Sequence, residues 1–513
     1  MAGNGPNPNP TYMGDIRNFF TATDIAHMAA KKIDLSTYTG VMVNASTIYT
    51  QVSGGLMPPP DAGGPWDSDK VQTFMNWIVN GCPKGTTTAP STTAGVVAAP
   101  AAERTRQEVT TLSDDQLATL KKAFQGMMAR DPDQPDSYYV IAGVHGLPGG
   151  PGQSHCLHHE DRFNPWHRVY LKVFEDALRS VEGCEDVTMP YWDFTTPLPG
   201  VFSEPPFDQY ALPANPGLPT TPQPDGSPTY PYTTQRNDAA AITRQMQSRG
   251  VFDDVKWSLQ THQWGAYRVS GYQKFSIQAH DGAHLSTGPT MADQDVASYD
   301  PVFWFYHCNI DRLWLSWQTN AGATDLQGFM STLPPPPPPP APQTPYWLTR
   351  DPFDTLPPYS APPVSMKAQQ TIAYGIAYDR LEPVPSDANV LQSQVGSLDA
   401  RRRFSIKSSA PVSVRVKDIA RLNIPGSFDV NLLADGEVIA KRAFFQPRIP
   451  TECPTCAGIP LVNIDFLLDQ EQLVDKTLSV EIEVLGHDEM GKTFPLAQAG
   501  DPTINARLLL QDE

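Results

Sequence analysis

Residues 278–314 read QAHDGAHLSTGPTMADQDVASYDPVFWFYHCNIDRLW, and the three histidines in this stretch decide how the chain is read. His280 and His284 are spaced i, i+4, so on a helix their side chains stand on one face within reach of one ion. His307 lies in FYHCNIDRLWLSW, whose apolar and aromatic residues recur at helical spacing. That helix can pack beside the first and supply a third imidazole from a facing position. A second triplet lies upstream, in HGLPGGPGQSHCLHHEDRFNPWHRVYLKVFE (residues 145–175). There WHRVYLKVFEDAL is an amphipathic helix with His167 near its start. His158 precedes Pro165 and falls in a loop, and His145 ends the segment before the breaker-rich GLPGGPG. Neutral imidazole is a ligand that suits copper, and two sites of three imidazoles each can hold two copper ions. The bland alternative is six structural histidines, or one zinc ion on His280, His284 and a further ligand, although zinc more often recruits a carboxylate or thiolate.

Taken in order, these motifs resemble the type-3 copper family of tyrosinases, catechol oxidases and haemocyanins. The resemblance covers roughly residues 101–380, with a weaker similarity beyond. Its elements are the His-Gly opening, a His nine residues before a WHR-Y-L-FE helix, PYWDF at 190–194, the H-x-x-x-H pair and DP-F-W-x-x-H-x-N-x-DRLW. The resemblance implies a mainly α core, a four-helix bundle holding a dicopper site. In it His145, His158 and His167 bind the first copper, and His280, His284 and His307 the second. Cys156 and His158 form a Cys-x-His unit like the one crosslinked by a thioether in fungal members. Phe163 and Phe303 resemble aromatics that pack on copper-bound imidazoles. Asp300 and Asp311 are expected to hydrogen-bond ring N–H groups and fix ligand tautomers, with a helix N-cap as the plainer role. His155 and His159 flank a ligand. Arg106 and Tyr378 resemble a pair that closes the domain by a cation–π contact.

Two positions depart from many tyrosinases, which carry Asn directly after the first ligand of the second site and a Glu three residues before it. Here these positions are Asp281 and Ile277, with Gln278 beside the latter. Asp281 is the expected acceptor of a phenol's proton. Leu285 offers no charge to a substrate carboxylate, and Tyr306 replaces a histidine often found before the last ligand. The implied activity is ortho-hydroxylation of monophenols and oxidation of o-diphenols to o-quinones with dioxygen, as in melanin formation. The alternatives are a catechol or o-aminophenol oxidase without the hydroxylation, and a haemocyanin-like oxygen carrier.

The composition bounds the partners. A formal net charge of −18 over 513 residues argues against nucleic acid or an anionic membrane surface. No stretch approaches the ~18 apolar residues of a spanning helix. The start, MAGNGPNPNPTYMGD, has neither a basic nor an apolar signal region, and six cysteines do not suggest a disulfide scaffold. A cytoplasmic location is therefore expected. The partners expected are a phenolic small molecule and dioxygen, with a homo-oligomer left open.

The chain divides by pattern into a helical N-terminal accessory segment (1–83), a linker (84–101), the core (102–385) with Pro-rich loops at 197–231 and 333–365, a second linker (386–400) and a C-terminal β-domain (401–513). The N-terminal segment faintly resembles a cytochrome-c-like fold but has no C-x-x-C-H. Beyond 400, RRFSIKSS, VSVRVKDI, SFDVNLLAD, EVIAKRAFF and LSVEIEVLG alternate apolar and polar residues, as half-buried antiparallel strands do. This resembles the domain that covers the copper site in latent polyphenol oxidases. Phe444 or Phe445 is then the expected pocket plug. Cys453 and Cys456, a C-x-x-C just beyond, fit copper loading, a redox pair or half of a zinc site.

Overall fold

A computed structural model of the chain describes most of residues 5–79, then 104–146, 155–160, 162–213, 221–222, 228–229, 232–264, 271–325, 375–385, 412–485 and 491–508, with isolated positions at 84, 328–329, 332, 356 and 358–359. The second linker and the RRFSIKSS strand, nearly all of the first linker and of the loop 333–365, and part of 197–231 lie outside these residues. Contacts divide the chain into two units, Met1–Arg104 with Gly322–Ala377 and Thr105–Ala321 with Tyr378–Glu513. No helix among the described residues is long and apolar enough to cross a membrane.

Among its described residues the first unit has the helices α1 (Ala22–Ala29), α2 (Tyr38–Val43), α3 (Ala45–Ser53) and α4 (Ser68–Val79). Thr21 and Asp24 close a capping box at the start of α1. Phe74 and Trp77 of α4 are fully buried, and edge-on contacts link Phe74 to Phe20 and Trp66.

The second unit has a helical core and C-terminal antiparallel sheets. Its helices are α5 (Asp114–Met128), α6 (Tyr138–Gly143), α7 (Phe163–Arg179), α8 (Ala239–Ser248), α9 (Val251–Gln260), α10 (Tyr272–Thr287) and α11 (Val302–Asn320). Helix α7 packs on α5 and α11, while α10 packs on α8 and α9 and meets α11. Every residue of α10 is buried, including Lys274 and Gln278, which are paired with the Asp465 carboxylate and the Asp465 backbone. Gly282 lets α9 approach, because a Cβ there would press on Val251 Cγ2. A buried ion cluster ties α7 to α11: Arg168 Nε donates to Asp311 at 2.6 Å, and Arg106 reaches both Asp311 (3.3 Å) and Glu175 of α7 (3.0 Å). Tyr378 joins the cluster, donating to Asp311 at 2.7 Å with its ring 5.8 Å from the Arg106 guanidinium.

The strands are β1 (Val412–Ala420), β2 (Phe428–Ala434), β3 (Glu437–Phe444), β4 (Leu461–Leu468), β5 (Leu478–Val484), β6 (Lys492–Phe494) and β7 (Thr503–Leu508). They form two antiparallel sheets, β6-β5-β2-β3 and β7-β1-β4, which touch along β3–β4 and β5–β7. Asp435 and Gly436, at φ 52° and 88°, make the tight β2–β3 turn that the Asp-Gly pair signals. Strand β3 lies against α10, so the sheet end carrying Phe444 and Phe445 meets the helix carrying His280 and His284.

Candidate metal centre

Six imidazoles converge in the second unit, each no more than 5% exposed. His280 and His284 project from α10 and His307 from α11, with ring centroids 4.5, 5.2 and 5.3 Å apart. His145 follows α6, His158 sits in a turn and His167 is on α7, with centroids 4.9, 5.4 and 5.7 Å apart. The two triangles abut: His167 and His307 stack at 4.4 Å, and His158 and His280 lie 5.2 Å apart. Ligand atoms of His280, His284 and His307 fall within 4.8 Å of one another, as do those of His145, His167 and His307 and those of His145, Cys156 and His158. His307 thus faces both halves, and Cys156 stands beside His158.

Hydrogen bonds orient several rings. The Nδ1–H groups of His167 and His284 donate to the carbonyls of Phe163 (2.8 Å) and Met291 (2.7 Å), and that of His280 to Asp281 Oδ1 (2.9 Å). Each ring therefore turns Nε2 inward. Burial, more than any other cause, pushes all six imidazoles below their ordinary range, His167 and His284 to about 3. They are accordingly neutral, with lone pairs to give. Both nitrogens of His158, Nε2 of His167 and of His280, and Nδ1 of His307 are buried without a hydrogen-bond partner. Buried polar atoms are seldom left unpaired, and bare inward imidazole nitrogens with a thiol beside them form a donor set that fits two copper ions.

Phe163 and Phe303 each touch both triplets. Phe163 packs on His167 (4.5 Å) and His280 (4.8 Å), and Phe303 on His145 (4.8 Å) and His307 (4.2 Å). A Cβ on Gly146, after His145, would collide with the Gln294 carbonyl, while Gln294 Nε2 donates to Cys156 Sγ at 3.0 Å. The 293–295 loop thereby grips both sides of the first triplet's irregular segment.

Two expectations need correction. Neither Asp300 nor Asp311 meets a histidine. Asp300 is held by Arg236 Nε (2.8 and 2.9 Å) and accepts from Val302 N at 3.0 Å, which matches the plainer helix-start role. Asp311 is taken by Arg106, Arg168 and Tyr378. Buried arginines outcompete neutral imidazole for a carboxylate. Both Asp281 oxygens are engaged by the protein: Oδ1 accepts from His280, and Oδ2 lies 2.9 Å from His159 Nε2 and accepts from Phe445 N at 3.2 Å. Burial raises its carboxyl well above the usual range, against the pull of the Phe445 N–H, Arg421 and Lys274. Its evident work is to hold His280.

One part of the site was beyond the reach of sequence reasoning. Arg421 donates toward His159 Nδ1 at 3.4 Å. An arginine only donates, so His159 carries its hydrogen on Nε2 and passes it to Asp281. No linear signal joins residues 262 positions apart. Tyr306 also gains a role, since its hydroxyl donates to the His280 carbonyl at 2.8 Å. The aromatic pair divides. The Phe445 ring, fully buried, lies flat on His284 (4.2 Å, 19°) and edge-on to His158 and His280. Phe444 instead stacks on His159 at 4.1 Å.

Residues 135–320 match the family model described as the common central domain of tyrosinase. A tyrosinase of Hahella sp. (strain CCB-MM4) is 26% identical over 259 residues, which is 43% of this chain and 55% of that protein. Hemocyanin 1 of Megathura crenulata is 28% identical over 233 residues, 42% of this chain but 6% of that protein. The chain thus spans about half or less of the length of these curated relatives. The solved tyrosinase from Burkholderia thailandensis shares the fold at a TM-score of 0.52 and 17% identity, covering 79% of this chain and all of that one (100%). With the histidine clusters in place, these matches show that residues 135–320 carry a central domain of the tyrosinase type, similar to tyrosinases and to haemocyanins alike.

Proposed function

We propose that this chain is a dicopper phenol oxidase that converts o-diphenols to o-quinones and ortho-hydroxylates monophenols, held latent by its own Phe445. The observation carrying this reading is the Phe445 ring on His284, in the midst of two imidazole triplets. An aromatic ring stacked there marks where a phenol ring would bind. His145, His158 and His167 would hold one copper and His280, His284 and His307 the other. When bound, copper supplies Lewis acidity toward a phenolic oxygen and redox chemistry with dioxygen.

The chain's own residues prepare the site. Phe163, Phe303 and Tyr306 wall the rings in and keep water out. Asp281 and the Met291 carbonyl fix two imidazoles with Nε2 inward, so little reorganisation remains for binding. Leu285, 4% exposed beside His284, favours simple phenols over charged ones. Cys156, whose sulfur lies near the His158 ring, would be the partner in a thioether, and Cys453 with Cys456 would serve copper loading.

A catechol oxidase without hydroxylation is the second reading. Its support is that Ile277 is buried and apolar, Gln278 is engaged with Asp465 at 3.1 and 3.2 Å, and both oxygens of Asp281 are engaged by His280, His159 and Phe445. The test is quinone formation from a monophenol and its matching catechol by copper-loaded wild type and Phe445→Ala. The expected result is slow turnover by wild type and a rise of at least tenfold on both substrates in the variant, tenfold being about 1.4 kcal/mol of unblocking. Turnover of the catechol alone would install the second reading. Reversible oxygen binding with no quinone in either protein would make the chain a carrier.

A further inference from the structure

Just past the plug strand, the turn Pro454–Ala457 carries Cys453 and Cys456. The Cys456 N–H donates to Cys453 Sγ at 3.3 Å, so one turn of helix brings the two sulfurs together. They are 6% and 4% exposed, with Thr451, Glu452, Ala457 and Gly458 exposed around them. Both are free thiols. Arg421 Nη2 donates to Cys456 Sγ at 3.1 Å.

That arginine, 2% exposed, is also the node of the plug. Its Nε donates to Gln446 Oε1 at 3.0 Å, its guanidinium lies 4.8 Å over the Phe444 ring, and its Nη1 faces His159. Gln446 in turn donates to the Ile424 and Gly426 carbonyls, both at 2.8 Å. The segment Phe444–Phe445–Gln446, besides its bonds to Asp281 and Ser427, is therefore tied to one buried cation, and one of that cation's acceptors is a thiol in a C-x-x-C pair.

We infer that Cys453 and Cys456 form a dithiol–disulfide site whose oxidation loosens the Phe445 plug. The inference rests on reading Phe445 as a plug. The oxidant is a low-molecular-weight disulfide such as oxidised glutathione. The Cys453 thiolate attacks one of its sulfurs and expels one thiol, leaving a mixed disulfide. Cys456 then loses its proton and displaces the second thiol, closing the Cys453–Cys456 bond. Two electrons pass from the protein pair to the small disulfide, which leaves as two thiols. A hydrogen bond from Cys456 lowers the Cys453 thiol to about 6 and raises that of Cys456, the asymmetry such an exchange uses. Closing the bond draws Cys456 Sγ toward Cys453 and away from Arg421, and a disulfide sulfur is the poorer acceptor. A buried guanidinium short of a partner is costly to keep in place, so Arg421 and the strand end it holds open more often.

The test uses the full chain without copper, equilibrated in reduced or oxidised glutathione. Mass spectrometry reads the loss of two hydrogens, and hydrogen exchange reads the amides of Phe444, Phe445 and Gln446. The expected result is one disulfide between Cys453 and Cys456 and roughly tenfold faster exchange at Phe445. In Cys453→Ser, which keeps the Arg421–Cys456 bond, exchange is expected to stay at the reduced rate in both buffers. A disulfide with unchanged exchange would overturn the inference, as would a stable mixed adduct, no disulfide at any ratio, or a redox response persisting in Cys453→Ser. Catechol turnover after copper loading is measured separately. Its absence alongside a redox-dependent exchange would sink the oxidase reading and leave the redox site standing.

Discussion

The two histidine triplets are alike in composition and unlike in support. His280, His284 and His307 all rise from the long helices α10 and α11, and two of their rings have Nδ1 fixed by a carboxylate or carbonyl. In the other triplet His167 alone stands on a helix, bonded to the Phe163 carbonyl, and His145, past the end of α6, meets the Gln294 backbone, while His158 sits in a turn with both nitrogens unpaired. Helices deliver ligands to fixed positions, and loops need a further fastening. Here the fastening is local: Gln294 on Cys156, the close approach at Gly146, and Cys156 itself beside His158. The helical triplet is thus organised by its two long helices, and the loop-borne one depends on these contacts of the 293–295 loop.

The comparison can be broken most forcefully at the ion cluster joining α7 to α11. Asp311→Ala leaves Arg106 and Arg168 buried without their shared carboxylate, and removing one partner of such a cluster costs about 3–5 kcal/mol. Urea unfolding is expected to show that loss, with both triplets disturbed together. A loss below about 1 kcal/mol, the range of an exposed ion pair, would mean that the cluster does not hold the helices.

A smaller effect separates the triplets. Asp254 of α9 stands behind α10, 2.8 Å from Arg442 and 3.4 Å from Gln278. Burial raises its carboxyl from the usual 3.8 to about 7, outweighing the pull of Arg442. The folded chain then binds a proton more tightly than the unfolded one. The stability this group contributes is present at low pH and is lost as pH rises through that window, by on the order of 2–4 kcal/mol. Asp254→Asn is expected to flatten the fall in urea stability between pH 4 and 7, and an unchanged slope would assign the fall to other groups.

Much of this contrast is legible in the sequence because it rests on local rules. The i, i+4 spacing placed His280 and His284 on one helix, Pro165 and the glycine-rich run kept His145 and His158 off one, and alternation gave β1, β2, β3 and β5. The strand LVNIDFLL escaped because its second half is buried on both faces and does not alternate. Asp300 and Asp311 were misassigned because nearness in sequence to a ligand says nothing about direction. Their actual partners, Arg236, Arg106 and Arg168, lie 64, 205 and 143 residues away. The Cys456–Arg421–His159–Asp281 chain had no local signature, being assembled only when the β-sheets meet α10.

The most direct test of the account is the number of copper ions bound per chain by wild type, His158→Ala and His284→Ala after loading and dialysis. Two independent three-imidazole sites predict about two in wild type and about one in each variant. One copper in wild type, or a His158→Ala chain that still holds two, would contradict it.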